Sequence, residues 1–189
     1  MTKNKKRVII LIDGSNFYFK LKDLEINRLL SFNFADFVKM LTGEDRQLIS
    51  STYYVGKIRT DGTKKTQRLF NNQRRLLAHL KKNKLTYSLG YLMKTDGKYH
   101  EKGVDVNIAV DLLVATYEDL CDCIILVYSD TDLLPAILKS REKGKDVEYV
   151  GFSHKPSIAM VAMCSNSRLL VKEDLLKFTA EAANNKKGL

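Results

Sequence analysis

Val8-Ile9-Ile10-Leu11-Ile12-Asp13-Gly14 is the stretch on which the fold turns. Its apolar run is unbroken and rich in β-branched side chains, with neither the period of a surface helix nor the alternation of a half-exposed strand. It suits a short strand buried on both faces, as in a parallel sheet covered by helices. Asp13-Gly14 then ends the run with a charge and a turn former. Cys123–Tyr128 has the same character and runs into Ser129-Asp130-Thr131-Asp132. Two buried strands, each followed by an aspartate, frame the rest.

Around these strands, the periodicity predicts helices over Ser15–Leu24 and Asn33–Leu41, a strand over Ile49–Ile58 and a turn at Asp61-Gly62. Thr66–Asn83 is the clearest helix, with Leu69, Phe70, Leu76, Leu77 and Leu80 in one arc. Leu85–Met93 reads as a strand, followed by a turn at Asp96-Gly97 and a polar segment, Lys98–Lys102. Helices are expected over Val104–Tyr117, Leu133–Lys143 (stopped by Gly144), Ser157–Met163 and from Glu173. Val147–Gly151 and an edge strand at Leu169–Val171 complete the sheet. Alternating strands and helices imply a three-layer α/β/α sandwich with a mostly parallel central sheet, Rossmann-like in its winding. The organisation expected is a basic N-terminal extension over 1–6, a single domain over 7–179 and a flexible tail over 180–189.

Charge narrows the function. The chain carries 32 Lys+Arg against 22 Asp+Glu, a net +10. Between Lys57 and Lys102 there are 13 basic and 3 acidic residues, so this segment alone supplies the excess of +10. Arg68, Arg74, Arg75, Lys81 and Lys82 fall opposite the apolar arc of their helix, and Lys102 lies further along the segment. A localised basic stripe is the footprint of a polyanion binder, and equally of a solvated helix face.

Other chemistries are excluded or weakened. Cys121, Cys123 and Cys164 cannot close a set of disulfides, and their C-x-C spacing is neither a redox motif nor a zinc half-site. The apolar run after Lys3–Arg7 is shorter than the ~7–15 residues of a signal h-region. No stretch approaches the ~18 apolar residues of a membrane span. A cytoplasmic protein without a membrane partner is expected. There is no Gly-x-x-x-x-Gly-Lys phosphate loop. Ser15 stands where a dehalogenase-type phosphatase needs its second Asp. His79, His100 and His154 are scattered, which argues against histidine acid–base catalysis.

Ligands of such sheets bind beyond the carboxyl ends of the strands, at the switch in strand order. Asp13, Asp130 and Asp132 follow strands there, and Asp105 opens the helix Val104–Tyr117. Converging carboxylates repel, and a hard divalent cation, Mg²⁺ or Mn²⁺, relieves them. Each aspartate alone is better explained as a helix cap or turn residue, but three such positions together, with the basic helix nearby, reverse that judgement.

Three blocks carry a family resemblance: Ile12-Asp13-Gly14-Ser15-Asn16-Phe17, then Lys102-Gly103-Val104-Asp105-Val106 with Asp111-Leu112, then Asp130-Thr131-Asp132 with Pro135. Together they resemble the NYN domain, in the LabA-like branch of the PIN-like nuclease superfamily. The resemblance implies a PIN-like fold and a metal-dependent ribonuclease whose metal and catalytic positions are Asp13, Asp105, Asp130 and Asp132. It also places Asn16 where a polar group orients a ligand or carboxylate, with Ser15 beside it. Asp111 matches too, but helical spacing turns it ~120° from Asp105, which favours a supporting role. The chain departs from the family at Tyr128, Ser129 and Leu133, where Ser, Gly and Phe are usual.

With carboxylates and no paired histidines, the expected attacking group is water activated by the metal, leaving a 5′-phosphate and a 3′-hydroxyl. Single-stranded RNA is the favoured partner. Phe17, Tyr18, Tyr53, Tyr54 and Tyr91 are candidates for base stacking, with core packing favoured for Phe17 and Tyr53. A non-catalytic RNA-binding or regulatory module, and a homo-oligomer, stay open on sequence alone.

Overall fold

A computed structural model describes residues 4–27, 29–95 and 98–179. The elements run β1 (Lys6–Asp13), α1 (Gly14–Asp23), α2 (Phe34–Thr42), β2 (Arg46–Gly56), α3 (Lys64–Lys82), β3 (Thr86–Thr95) and β4 (Lys98–Lys102). They continue with α4 (Val104–Tyr117), β5 (Cys123–Val127), α5 (Leu134–Glu142), β6 (Asp146–Phe152), α6 (Ile158–Met163), β7 (Asn166–Leu170) and α7 (Lys172–Leu176). The turn expected at Asp96-Gly97 and the tail from Ala180 lie outside the described residues.

One seven-stranded sheet has the order β4-β3-β2-β1-β5-β6-β7. Every pair is parallel except β3–β4. From β1 the chain winds outward through β2 and β3, then returns to the other side for β5, β6 and β7. The switch point therefore lies between β1 and β5, the two strands read as buried runs. The α/β/α sandwich expected from the sequence is the fold observed.

Side chains of β1 alternate between two cores. Val8, Ile10 and Ile12 pack with Phe17, Phe32, Phe34 and Phe37 beneath α1, α2 and α3. Ile9 and Leu11 pack with Val104, Ile108, Leu112 and Ile137 beneath α4 and α5. The first core is aromatic: Phe32 meets Phe17 edge-on at 5.5 Å and Phe34 at 5.1 Å, a geometry that ring quadrupoles favour.

Two elements differ from expectation. Lys98–Lys102, a polar segment by composition, is the antiparallel edge strand β4, with Tyr91 opposite Lys102. Edge strands tolerate, and benefit from, charged side chains, so composition hides them. The last strand spans Asn166–Leu170 rather than Leu169–Val171, because its polar first half still pairs with β6 through backbone.

Candidate functional site

Register builds the site. Val127 of β5 pairs with Ile12, so Asp13 and Tyr128 leave neighbouring strands at one level. Asp13 also pairs with Tyr54 of β2. Tyr54 and Tyr128 join the core under α4, and each reaches a carboxylate of that helix. The Tyr128 hydroxyl donates to Asp105 Oδ1 at 2.9 Å, and the Tyr54 hydroxyl donates to Asp111 Oδ2 at 2.6 Å. Two buried tyrosines thus pin one helix at two points.

Glycines let the backbones approach. A Cβ on Gly14 would stand 2.1 Å from the Tyr53 ring, so only glycine allows α1 to start over β2. Tyr53 donates its hydroxyl to the Gly14 carbonyl at 3.1 Å. Gly103 sits at φ 82°, the left-handed turn that takes β4 directly into α4.

Asp13, Ser15, Asn16, Phe19, Gly103, Val104, Asp105 and Asp130 line one cavity of about 300 Å³ at the switch point. Asp13 is 8% exposed and caps α1, accepting the Asn16 N–H at 3.0 Å. The Asp130 carboxylate accepts the Thr131 N–H at 2.6 Å. Asp105 is exposed in the first turn of α4, and the cap there is Gly103. The Tyr128 phenol is pushed well above its ordinary pKa, first by burial, then by its bond to Asp105 and by the charges of Asp105, Asp130 and Asp13. One hydroxyl therefore feels three carboxylates at once. The Tyr54 phenol is raised in the same way, by burial and then by Asp111.

Asp132 is set apart. It is exposed and lines a different pocket, with Ala109, Leu113, Tyr117 and Pro135. It does not cap α5, whose N-cap is Leu133. Asp111 stands with Tyr54, holding α4 to the sheet. Among the described residues, no three His, Cys, Asp or Glu side chains form a ready-made group for a metal ion.

Two polar atoms at this end of the sheet are buried with no hydrogen-bond partner among the described residues: Asn16 Oδ1 and Ser129 Oγ. An unsatisfied buried polar atom costs about 1–3 kcal/mol. Their presence beside a carboxylate cavity is the kind of local cost that functional sites carry. Donors here are all oxygen, and hard divalent cations prefer oxygen. Mg²⁺ commonly uses one or two carboxylates and completes its shell with water, which suits acids that share a wall without forming a closed cage.

The basic stripe is exposed as expected at Arg68, Arg74, Arg75, Lys81 and Lys82, and none of the five forms an ion pair among the described residues. Lys81 lies 5.4 Å from the Tyr87 ring on β3. Lys102 is exposed and directly precedes Gly103 of the cavity wall. Of the aromatic candidates, Phe17, Tyr53 and Tyr54 are buried, while Tyr18 and Tyr91 are exposed. Sequence reasoning missed Phe19, which lines the cavity and is 60% exposed. It also missed the Tyr128–Asp105 bond, which depends on a register and a helix docking that no local pattern encodes.

The sequence pattern of the NYN domain matches residues 7–169. No curated protein matches the chain. Among solved structures, a protein of unknown function from Vibrio parahaemolyticus is 22% identical, covers 90% of this chain and 96% of its own, and superposes with a TM-score of 0.64. That likeness concerns the fold. No helix among the described residues is long and apolar enough to cross a membrane.

Proposed function

The chain belongs to the NYN domain family, and from that premise we propose that it is a metal-dependent ribonuclease hydrolysing phosphodiester bonds at the switch-point cavity. The observation carrying this reading is that Asp13, Asp105 and Asp130 line one cavity at the switch point, beside the orphaned Asn16 Oδ1. The LabA-like branch is supported by the Lys102–Val106 block with Asp111, and a reducing cytoplasmic setting by three buried free cysteines.

Asp13, Asp105 and Asp130 are the residues that would hold Mg²⁺ or Mn²⁺, with Asn16 Oδ1 beside them. Asp132, in the neighbouring pocket, is given no direct contact. Bound there, the ion would supply Lewis-acid charge and ease deprotonation of water. The protein's own groups do the positioning. The Asn16 N–H fixes one carboxylate, Tyr128 holds Asp105, and Thr131 N–H orients Asp130. The exposed lysines and arginines of α3 draw in the phosphate backbone. Water adds to phosphorus and the bond to the 3′ oxygen breaks, leaving a 5′-phosphate and a 3′-hydroxyl. No described histidine lines the cavity to assist a ribose hydroxyl.

The alternative is a non-catalytic RNA-binding protein. It is favoured by the carboxylates' failure to form a ready-made ligand group. End-group analysis of an RNA incubated with Mn²⁺ or Mg²⁺, with and without chelator, separates the two. The ribonuclease yields 5′-phosphate ends only when metal is free. Asp13→Asn keeps the fold, since the amide oxygen still caps α1, and lowers the rate by about 10²–10³-fold, the scale for losing one charge-stabilising group. Cyclic-phosphate ends, cleavage in chelator, or a fully active Asp13→Asn protein contradict the proposal.

A further inference from the structure

A second and larger cavity adjoins the first. It opens between α1, the end of β2 and α3, holds about 780 Å³, and shares Ser15 and Phe19 with the carboxylate cavity. Its walls include Tyr18, Phe19, Val55, Leu69, Asn72 and Leu76. Three of these are large apolar side chains left in contact with water: Tyr18 at 43%, Phe19 at 60% and Leu69 at 45% exposure. The Tyr18 and Phe19 rings meet edge-on at 5.4 Å, so α1 presents a joined aromatic pair to the groove mouth. Scattered exposed apolar residues need no explanation, but a continuous apolar groove does.

Two arginines lie close to one wall. Arg68 lies four residues before Asn72 and Arg75 three after it, so both neighbour Asn72 on the side of α3 that turns away from Leu69 and Leu76. Both are exposed. A ligand of the groove thus meets apolar walls within, has arginines near Asn72, and reaches the carboxylate cavity through Ser15 and Phe19.

We propose that this groove receives an unpaired nucleobase of the strand whose phosphate lies at the carboxylate cavity, which makes the site selective for single strands. The proposal rests on the ribonuclease reading and adds to it the feature recognised. A nucleobase has an apolar π face that stacks on aromatic and aliphatic walls, with polar edges for an amide such as Asn72. A phosphate is too strongly hydrated to enter such walls, and it pairs instead with Arg68 and Arg75. In a duplex the bases are stacked inside the helix, so the groove would stay empty. Continuity through Ser15 and Phe19 keeps base and phosphate on one strand in adjoining cavities.

The test measures fluorescence anisotropy in chelator, so that binding is read without cleavage. The probes are a short fluorescein-labelled oligoadenylate, an abasic strand of equal length, and the oligoadenylate paired to its complement. The oligoadenylate binds about 5- to 100-fold tighter than the abasic strand, the range for stacking one base. Tyr18→Ala and Leu69→Ala close that gap and leave the affinity for the abasic strand unchanged. Arg68→Ala and Arg75→Ala weaken both strands alike and each reduce the salt slope by about 0.7. An abasic strand or duplex bound as tightly as the oligoadenylate, or a gap that survives both apolar variants, overturns the proposal. The same measurement is blind to hydrolysis. Cleavage without a base-dependent gap leaves the ribonuclease reading standing and removes the groove, and a gap without cleavage does the reverse.

Discussion

The two ends of the sheet handle acidic side chains in opposite ways. At the amino end, acids are matched with bases. Arg7 bonds Asp122 at 2.8 Å and the Asp119 carbonyl at 2.7 Å, while Lys145 pairs with Asp119 and Lys6 with Asp146. Glu148, nearly buried, sits between Arg46 at 2.8 Å and Arg168 at 2.6 Å. The Asp119 and Asp122 carboxyls are held below their ordinary 3.8, Asp119 chiefly by its bond to Lys145 and Asp122 by its bond to Arg7. At the carboxyl end, Asp105 is met by a phenol and Asp130 by a backbone N–H. No ion pair to Asp105, Asp130 or Asp132 forms among the described residues. The same residue type on the same sheet is paired internally at one end, while Asp105 and Asp130 at the other are met by neutral donors. Under the proposed function, the difference separates acids that hold the fold from acids that serve the reaction.

If that division is right, breaking the amino end damages stability and spares chemistry. The largest effect is expected at Glu148→Gln, which leaves two guanidinium groups facing a neutral amide in a nearly buried site. Loss of such a partner costs about 3 kcal/mol, read as a lower urea midpoint with unchanged slope. Cleavage per folded molecule stays at the wild-type level. A rate loss out of proportion to unfolding would erase the distinction between the ends.

A smaller effect sharpens it. Asp122 is partly exposed, so Asp122→Asn costs under about 1 kcal/mol at neutral pH. Because the folded pKa of Asp122 is depressed, its contribution is complete above the ordinary value of 3.8 and fades as pH falls through the folded pKa. Wild type and Asp122→Asn should therefore differ in melting temperature near pH 7 and converge in strong acid. A gap that persists under full protonation would mean that packing, not charge, carries the interaction.

Much of this arrangement is legible from sequence where one local rule suffices. The β1 and β5 runs and the helix Val104–Tyr117 appear where their apolar patterns put them, because burial on both faces or along one helix face leaves a direct imprint. Asp13 and Asp130 are legible because each stands at or just beyond the carboxyl end of such a strand. Strand β4 is missed because Lys98-Tyr99-His100-Glu101-Lys102 pairs through backbone, which side-chain pattern does not report. Asp132 is placed with the other acids by spacing, yet the short loop after β5 turns it toward another pocket. Side-chain direction in a loop has no period to read. The Tyr54–Asp111 and Tyr128–Asp105 bonds join residues 57 and 23 positions apart, so they emerge only once register and helix docking are known.

The central claim, that the carboxyl-end acids take a divalent cation, is tested most directly by thermal unfolding with and without Mn²⁺ in wild type, Asp130→Asn and Asp122→Asn. Ion that binds only the folded state stabilises it, by about 2.7 kcal/mol at a hundred times its Kd. Wild type should melt higher with Mn²⁺, and Asp122→Asn should start lower and rise by the same increment. Asp130→Asn should start level with or above wild type, because repulsion among the acids is relieved, and should gain little or nothing from Mn²⁺. An Asp130→Asn protein that rises as far as wild type, or a wild type that does not respond, would contradict the account.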